Sequence, residues 1–170
     1  MKIAPNLKWV VVLRHAKAGK GDILTPESSD YIAKLSERMR KRFDPHIKIS
    51  MVFTSLETRG VLTGNYFAQN VGASKTVSLV ALAGDRYSDG SKLSELVMDN
   101  VDEDTEVIII VGHYTAVLGI ASALIESFDI QVDDPNNPDE PDPPENLEGV
   151  VINAQTGEFT IGIKKFFGIS

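Results

Sequence analysis

His15 and His113 are two of only three histidines in a chain of 170 residues, and each follows an apolar run. Trp9-Val10-Val11-Val12-Leu13 leads into Arg14-His15, and Val107-Ile108-Ile109-Ile110-Val111 leads into Gly112-His113. A third run, Ile47–Phe53, leads into Thr54-Ser55, with Arg59 one turn further on. Two imidazoles and two guanidiniums thus follow three separate apolar runs. That set suits a phosphoryl group. Arginine presents paired donors that match phosphate oxygens and stays charged at any working pH. A neutral imidazole can attack phosphorus, forming a covalent phosphohistidine and splitting one difficult displacement into two. Fixed positive charge around the equatorial oxygens would supply most of the transition-state stabilisation.

The elements that must position these residues can be read from periodicity. The runs Trp9–Leu13 and Val107–Val111 are continuous rather than alternating, the pattern of central parallel strands covered on both faces. Ile47–Phe53 and Thr76–Leu82 read as two further strands. Thr25-Pro26 offers a cap and first position for a helix running to about Phe43, with Tyr31, Leu35 and Met39 on one face. Glu57–Asn70, ending near Gly72, and the segments Ser91–Asn100 and Thr115–Phe128 read as amphipathic helices. Gly149–Asn153 and Glu158–Lys164 flank Ala154-Gln155-Thr156-Gly157, a terminal hairpin at a sheet edge. Strand and helix alternate, which predicts an α/β three-layer sandwich around a mostly parallel sheet, in one domain spanning 1–170.

In open sheets of this kind ligands bind beyond the carboxyl ends of the strands. A lone histidine or arginine at a strand end is ordinarily structural or solvated. Arg14, His15, Arg59 and His113 at corresponding ends are better explained by one shared anion site. His46, after Asp44-Pro45, belongs at the opposite rim.

Composition narrows the function classes. Hydrophobic residues are 42% and charged residues 24% of the chain, as in ordinary globular proteins. Cysteine is absent, which excludes disulfides, thiolate catalysis and cysteine-based zinc sites. The net charge of −7 sits in one segment, since Asp133–Glu148 carries seven acids, no Lys or Arg, and five of the eight prolines. Such a segment reads as a solvated loop that does not pack into a core. Elsewhere acids and bases balance, so no basic surface for nucleic acid is implied. The acidic loop would repel highly anionic substrates if it lay near the site. The basic residues Lys34, Arg38, Arg40, Lys41 and Arg42 read as a solvated helix face. The first apolar run is too brief for a signal-peptide core or a membrane span, so a cytoplasmic location is expected. Asp22, Asp85 and Asp89 could join histidines around a metal, but no HxH or HExxH spacing exists, and no metal or cofactor is expected.

Leu13-Arg14-His15-Ala16-Lys17-Ala18 resembles the signature of the histidine phosphatase superfamily, also called phosphoglycerate mutase-like, and its small phosphohistidine phosphatase branch. Leu24-Thr25 resembles the start of that branch's first helix. Thr54-Ser55-Leu56-Glu57-Thr58-Arg59 with Thr63, Gly84-Asp85, and Val111-Gly112-His113 resemble its later motifs in the same order. The resemblance covers about Trp9 to Phe128. It implies that His15 becomes phosphorylated and that Arg14, Arg59 and His113 bind the phosphoryl group. By position, the Ser55 and Thr115 hydroxyls could add donors.

The chain departs from the family at several points. Leu56 stands where a proline is usual, and Ser28 or Ser29 where a glycine is. Gly60 and Gly64 replace alanines, costing helix propensity unless they permit close packing. The glutamate that protonates the leaving oxygen in large members is absent, leaving Asp85 or Asp89 as candidates. An alkoxide needs that proton in the transition state, whereas a phosphohistidine leaving group needs less help. The expected activity is therefore phosphatase action on a protein phosphohistidine or a small phosphorylated compound. The alternatives are a phosphate- or phosphoprotein-binding module without efficient turnover, and a phosphoglycerate-type mutase.

Overall fold

A computed structural model describes residues 1–44, 46–82, 89–127 and 145–169. Strands β1 (Trp9–Arg14), β2 (Ile49–Thr54), β3 (Lys75–Ser78) and β4 (Val107–Gly112) are parallel, and the sheet order is β3-β2-β4-β1-β5-β6. β5 (Gly149–Asn153) runs antiparallel to β1, and β6 (Phe159–Ile161) antiparallel to β5 at the edge. The α-helices of the described residues are α1 (Pro26–Arg42), α2 (Thr58–Val71), α3 (Gly90–Asp99), α4 (Tyr114–Ser127) and α5 (Ile163–Phe167).

The continuous apolar runs are explained by burial on both faces. Val10, Val12, Ile108 and Ile110 pack with Leu93, Val97, Val117 and Ile120 of α3 and α4. Their neighbours Val11, Leu13, Ile109 and Val111 pack instead with Ile32, Leu35 and Met39 of α1, Phe67 of α2 and Phe167 of α5. Because side chains alternate across a strand, both sets must be apolar. This is the expected three-layer sandwich.

Local chemistry fixes the helix starts. The Thr25 hydroxyl accepts from the Ser28 N–H at 3.2 Å, with Pro26 in the first position of α1. Asp89 accepts from the Ser91 and Lys92 amides at the start of α3. Gly60 and Gly64 do permit close packing: a Cβ on either would run into Ser55 or Thr54, so α2 lies directly on the end of β2.

Three sequence expectations need correction. β3 ends at Ser78, and the remainder of the expected strand is a 3-10 turn at Val80–Leu82. The last strand stops at Ile161 rather than Lys164. Gly162 takes a φ of 103°, the Glu148 carboxylate accepts from the Lys164 amide at 3.0 Å, and α5 follows with Phe167 packed edge-on to Phe43. The end of the acidic segment also joins the fold, because Leu147 is buried and its N–H donates to the Arg14 carbonyl. Residues 133–144 of that segment lie outside the described residues, as does Asp85.

Candidate active site

Register brings the two histidines together. β1 and β4 are adjacent, with Arg14 opposite Gly112, so His15 and His113 leave the sheet side by side. Their ring centroids are 5.2 Å apart. β2 lies on the other side of β4, and the helix that follows it carries Arg59 toward the same rim. Arg14 places its guanidinium 5.7 Å from the centroid of the Tyr114 ring, a cation–π contact. His46 is exposed at the opposite end of the sheet, as expected.

His15 is only 3% exposed. Its Nδ1 lies 2.9 Å from the Ala16 carbonyl oxygen. A carbonyl can only accept, so this bond requires the proton on Nδ1 and leaves a lone pair on Nε2. Nε2 is buried and makes no hydrogen bond to the protein. Burial holds the imidazole below its usual value of 6.5. The bond to the Ala16 carbonyl works against that, while the charges of Arg59, His113 and Arg14 add to the lowering. The result is a neutral imidazole whose Nε2 lone pair is not taken up by the protein.

The backbone around His15 is tied down from three directions. Its N–H donates to the Gly112 carbonyl at 3.0 Å, and its carbonyl accepts from the Asn146 side-chain amide at 2.9 Å. The next amide, of Ala16, donates to the Thr63 hydroxyl at 3.0 Å, and that hydroxyl donates to the Arg59 carbonyl at 2.6 Å. The nucleophile loop and the Arg59 turn are therefore one hydrogen-bonded unit.

Ser55 is buried at the end of β2, with Gly60 packed against its hydroxyl. Thr115 lies in the first turn of α4, and its buried Oγ1 has no hydrogen-bond partner. Asp89 is spent as the α3 cap, and its side chain also lies 3.6 Å from Lys92. Glu57, to which the sequence assigned no role, stands in the site: its Oε2 is 3.6 Å from Arg59 Nε and 4.0 Å from His113 Nε2. Asn146 is the second residue the sequence reading missed. A cavity of about 520 Å³ adjoins the loop after His15, lined by Lys17, Thr25, Ser28, Tyr31, Asn146 and Lys164 among others. None of Arg14, His15, Arg59 and His113 lines it. Among the described residues no group of three or more His, Asp or Glu side chains is arranged to hold a metal ion, and no helix is long and apolar enough to cross a membrane.

The six-stranded sheet flanked by helices is the phosphoglycerate mutase-like fold of the histidine phosphatases. Solved structures bear this out. A protein histidine phosphatase SixA complexed with tungstate superposes with a TM-score of 0.57 at 16% identity, over 90% of this chain and 93% of that one. Phosphoglycerate mutase from Plasmodium falciparum gives 0.55 at 13% identity, over 91% and 87%. A mycobacterial glucosyl-3-phosphoglycerate phosphatase in complex with VO3 gives 0.53 at 14% identity, over 91% and 97%. No protein-family model and no curated protein sequence matches the chain. At these identities the likeness is one of fold, and residue roles rest on the geometry of this site.

Proposed function

We propose that the chain is a metal-independent phosphatase of the histidine phosphatase superfamily, acting as one domain through a phosphorylated His15. The observation that supports this reading is the tautomer of His15, whose Nδ1 is bound to the Ala16 carbonyl while the buried Nε2 makes no hydrogen bond and the ring lies 5.2 Å from that of His113. In the first step Nε2 attacks phosphorus in line and the leaving group departs. In the second, water attacks phosphohistidine and inorganic phosphate is released. Arg14, Arg59 and His113 hold the equatorial oxygens, and the Thr115 hydroxyl adds a donor. Two proteins of this fold are complexed with oxyanions, tungstate in one and VO3 in the other, and a phosphoryl group is likewise an oxyanion.

The substrate is a phosphorylated protein side chain of the phosphohistidine type. Exposed apolar residues that follow three of the parallel strands support this: Ile23 after β1, Leu56 after β2 and Val80 after β3, at 65%, 55% and 49% exposure. Exposed apolar side chains on the rim that carries the charged residues suit a protein surface better than a sugar phosphate.

Incubation with an aryl phosphate should release phosphate without added metal and place an acid-labile label on His15. Binding of vanadate without turnover or label would leave a phosphate-binding module instead. Conversion of 3-phosphoglycerate to its isomer would make the chain a mutase.

A further inference from the structure

We propose that Glu57 is the proton-transfer residue of this site, giving a proton to the leaving group and then taking one from water. The inference rests on the phosphatase reading above. Glu57 occupies the N-cap position of α2, where a side-chain oxygen ordinarily accepts from the first-turn amides. Thr25 and Asp89 do so for α1 and α3, but Glu57 makes no such bond. Its carboxylate is turned into the site. There Oε2 is buried, accepts no hydrogen bond, and stands 3.6 Å from Arg59 Nε and 4.0 Å from His113 Nε2. Both separations exceed hydrogen-bonding distance, so the carboxylate is ion-paired with Arg59 without a hydrogen bond and does not cap the helix.

The chemistry follows from what a carboxylate can do next to a bound phosphoryl group. Two negative charges so close are tolerated only if they share a proton. A phosphomonoester monoanion brings one, since its second pKa is about 6. In the first half-reaction the Nε2–P bond forms and the bond from phosphorus to the leaving atom breaks, P–N in a phosphohistidine and P–O in a phosphomonoester. The electron pair of that bond stays on the leaving atom, which takes the proton held by Glu57. In the second, the Glu57 carboxylate takes a proton from the attacking water. The P–N bond breaks, its electron pair returns to Nε2, and phosphate departs. Atoms and charge balance with no further reactant. Arg59 beside the carboxylate keeps it in place in its charged state, and His15, Arg14, His113 and Arg59 are the titratable or charged groups around it.

Glu57→Gln is the test, with wild type and variant assayed on phenyl phosphate and 2,4-dinitrophenyl phosphate. On phenyl phosphate, whose leaving group needs a proton, kcat/KM should fall about 10²- to 10³-fold. On dinitrophenyl phosphate kcat/KM should hold within a few-fold. There kcat should fall, and acid-labile phosphohistidine should accumulate, because the second half-reaction still lacks its base. Glu57→Ala should regain part of its phenyl phosphate activity on addition of formate. Equal losses on both substrates without phosphoenzyme build-up, or no loss on either, would overturn the assignment while leaving the phosphatase reading intact. A wild-type chain that neither turns over the dinitrophenyl ester nor labels on His15 would sink both.

Discussion

The side-chain amide of Asn146 donates to the main-chain carbonyl of His15 at 2.9 Å, joining residues 131 apart in the chain. Asn146 emerges from the acidic, proline-rich segment, and the next residue, Leu147, is buried with a φ of 60°. A non-glycine residue in the left-handed region costs energy that its surroundings must offset. Here the Leu147 N–H bond to the Arg14 carbonyl and the Arg14 N–H bond to the Glu148 carbonyl do so. Residues 146–148 are thereby clamped to β1.

Removing that clamp should loosen His15 without unfolding the sheet. Asn146→Ala should cost about 1 kcal/mol of stability, the net worth of one hydrogen bond. It should lower kcat/KM on an aryl phosphate by about tenfold, with KM nearly unchanged, as expected of a group that orients the nucleophile rather than binding phosphate. Denaturant melts and steady-state kinetics check both figures.

Arg59 is predicted to be a phosphate clamp. Arg59→Ala should reduce kcat/KM about 10²- to 10³-fold, the usual loss for one preorganised charge at a phosphoryl site. The side chain is 38% exposed, so the fold should persist, as circular dichroism would show. Arg59→Lys should recover only part of the activity, because an ammonium cannot bind two oxygens in a planar fork. Near-wild-type rates in Arg59→Ala would remove the β2 end from the site.

The lowered pKa of His15 has a definite sign. Below its pKa the imidazole is protonated on both nitrogens and cannot attack phosphorus. Because burial, and behind it the charges of Arg59, His113 and Arg14, hold that pKa under 6.5, the reactive neutral form persists to lower pH than in a free histidine. A ring-proton NMR titration should therefore show a His15 midpoint below 6.5. In Arg59→Ala the midpoint should move up, since one of the lowering charges is gone. A midpoint at or above 6.5 in the wild type would contradict the described environment.

Much of this site was legible because its parts are local and the topology does the assembly. Arg14, His15 and His113 follow apolar runs whose two-sided burial is written in their composition, and parallel register then sets the histidines side by side. Arg59 is one turn into the helix after such a run. Glu57 was visible in the same motif, but its role depends on a rotamer that turns away from the helix cap, which residue type alone does not disclose. Asn146 was hidden by averaging. A segment rich in Asp, Glu and Pro reads as solvated throughout, although its last residues, Asn146-Leu147-Glu148, are captured by β1. α5 was missed for a similar reason, since Phe159–Ile161 looks strand-like and only the positive φ at Gly162 ends it.

Gly60 offers the sharpest separation of local propensity from tertiary demand. By propensity alone, Gly60→Ala in the first turn of α2 should stabilise the chain by up to about 1 kcal/mol. The structure reverses that sign. An added Cβ would meet the Ser55 hydroxyl and lie 3.2 Å from Ser55 Cβ, at a residue buried at the end of β2. The backbone of α2 would have to lift, at a cost of about 1 to 3 kcal/mol for an overpacked contact. Lifting α2 would carry Arg59 and the Thr63 hydroxyl with it, and Thr63 accepts the Ala16 amide beside the nucleophile. Gly60→Ala should therefore lower both the thermal midpoint and kcat/KM. Gly60→Ala combined with Ser55→Gly, which removes the opposing side chain, should restore the midpoint to near wild type. It should restore kcat/KM as well if the displaced helix, rather than a lost Ser55 contact to phosphate, is the cause. Recovery of stability without recovery of rate would assign the Ser55 hydroxyl a direct part in binding the phosphoryl group.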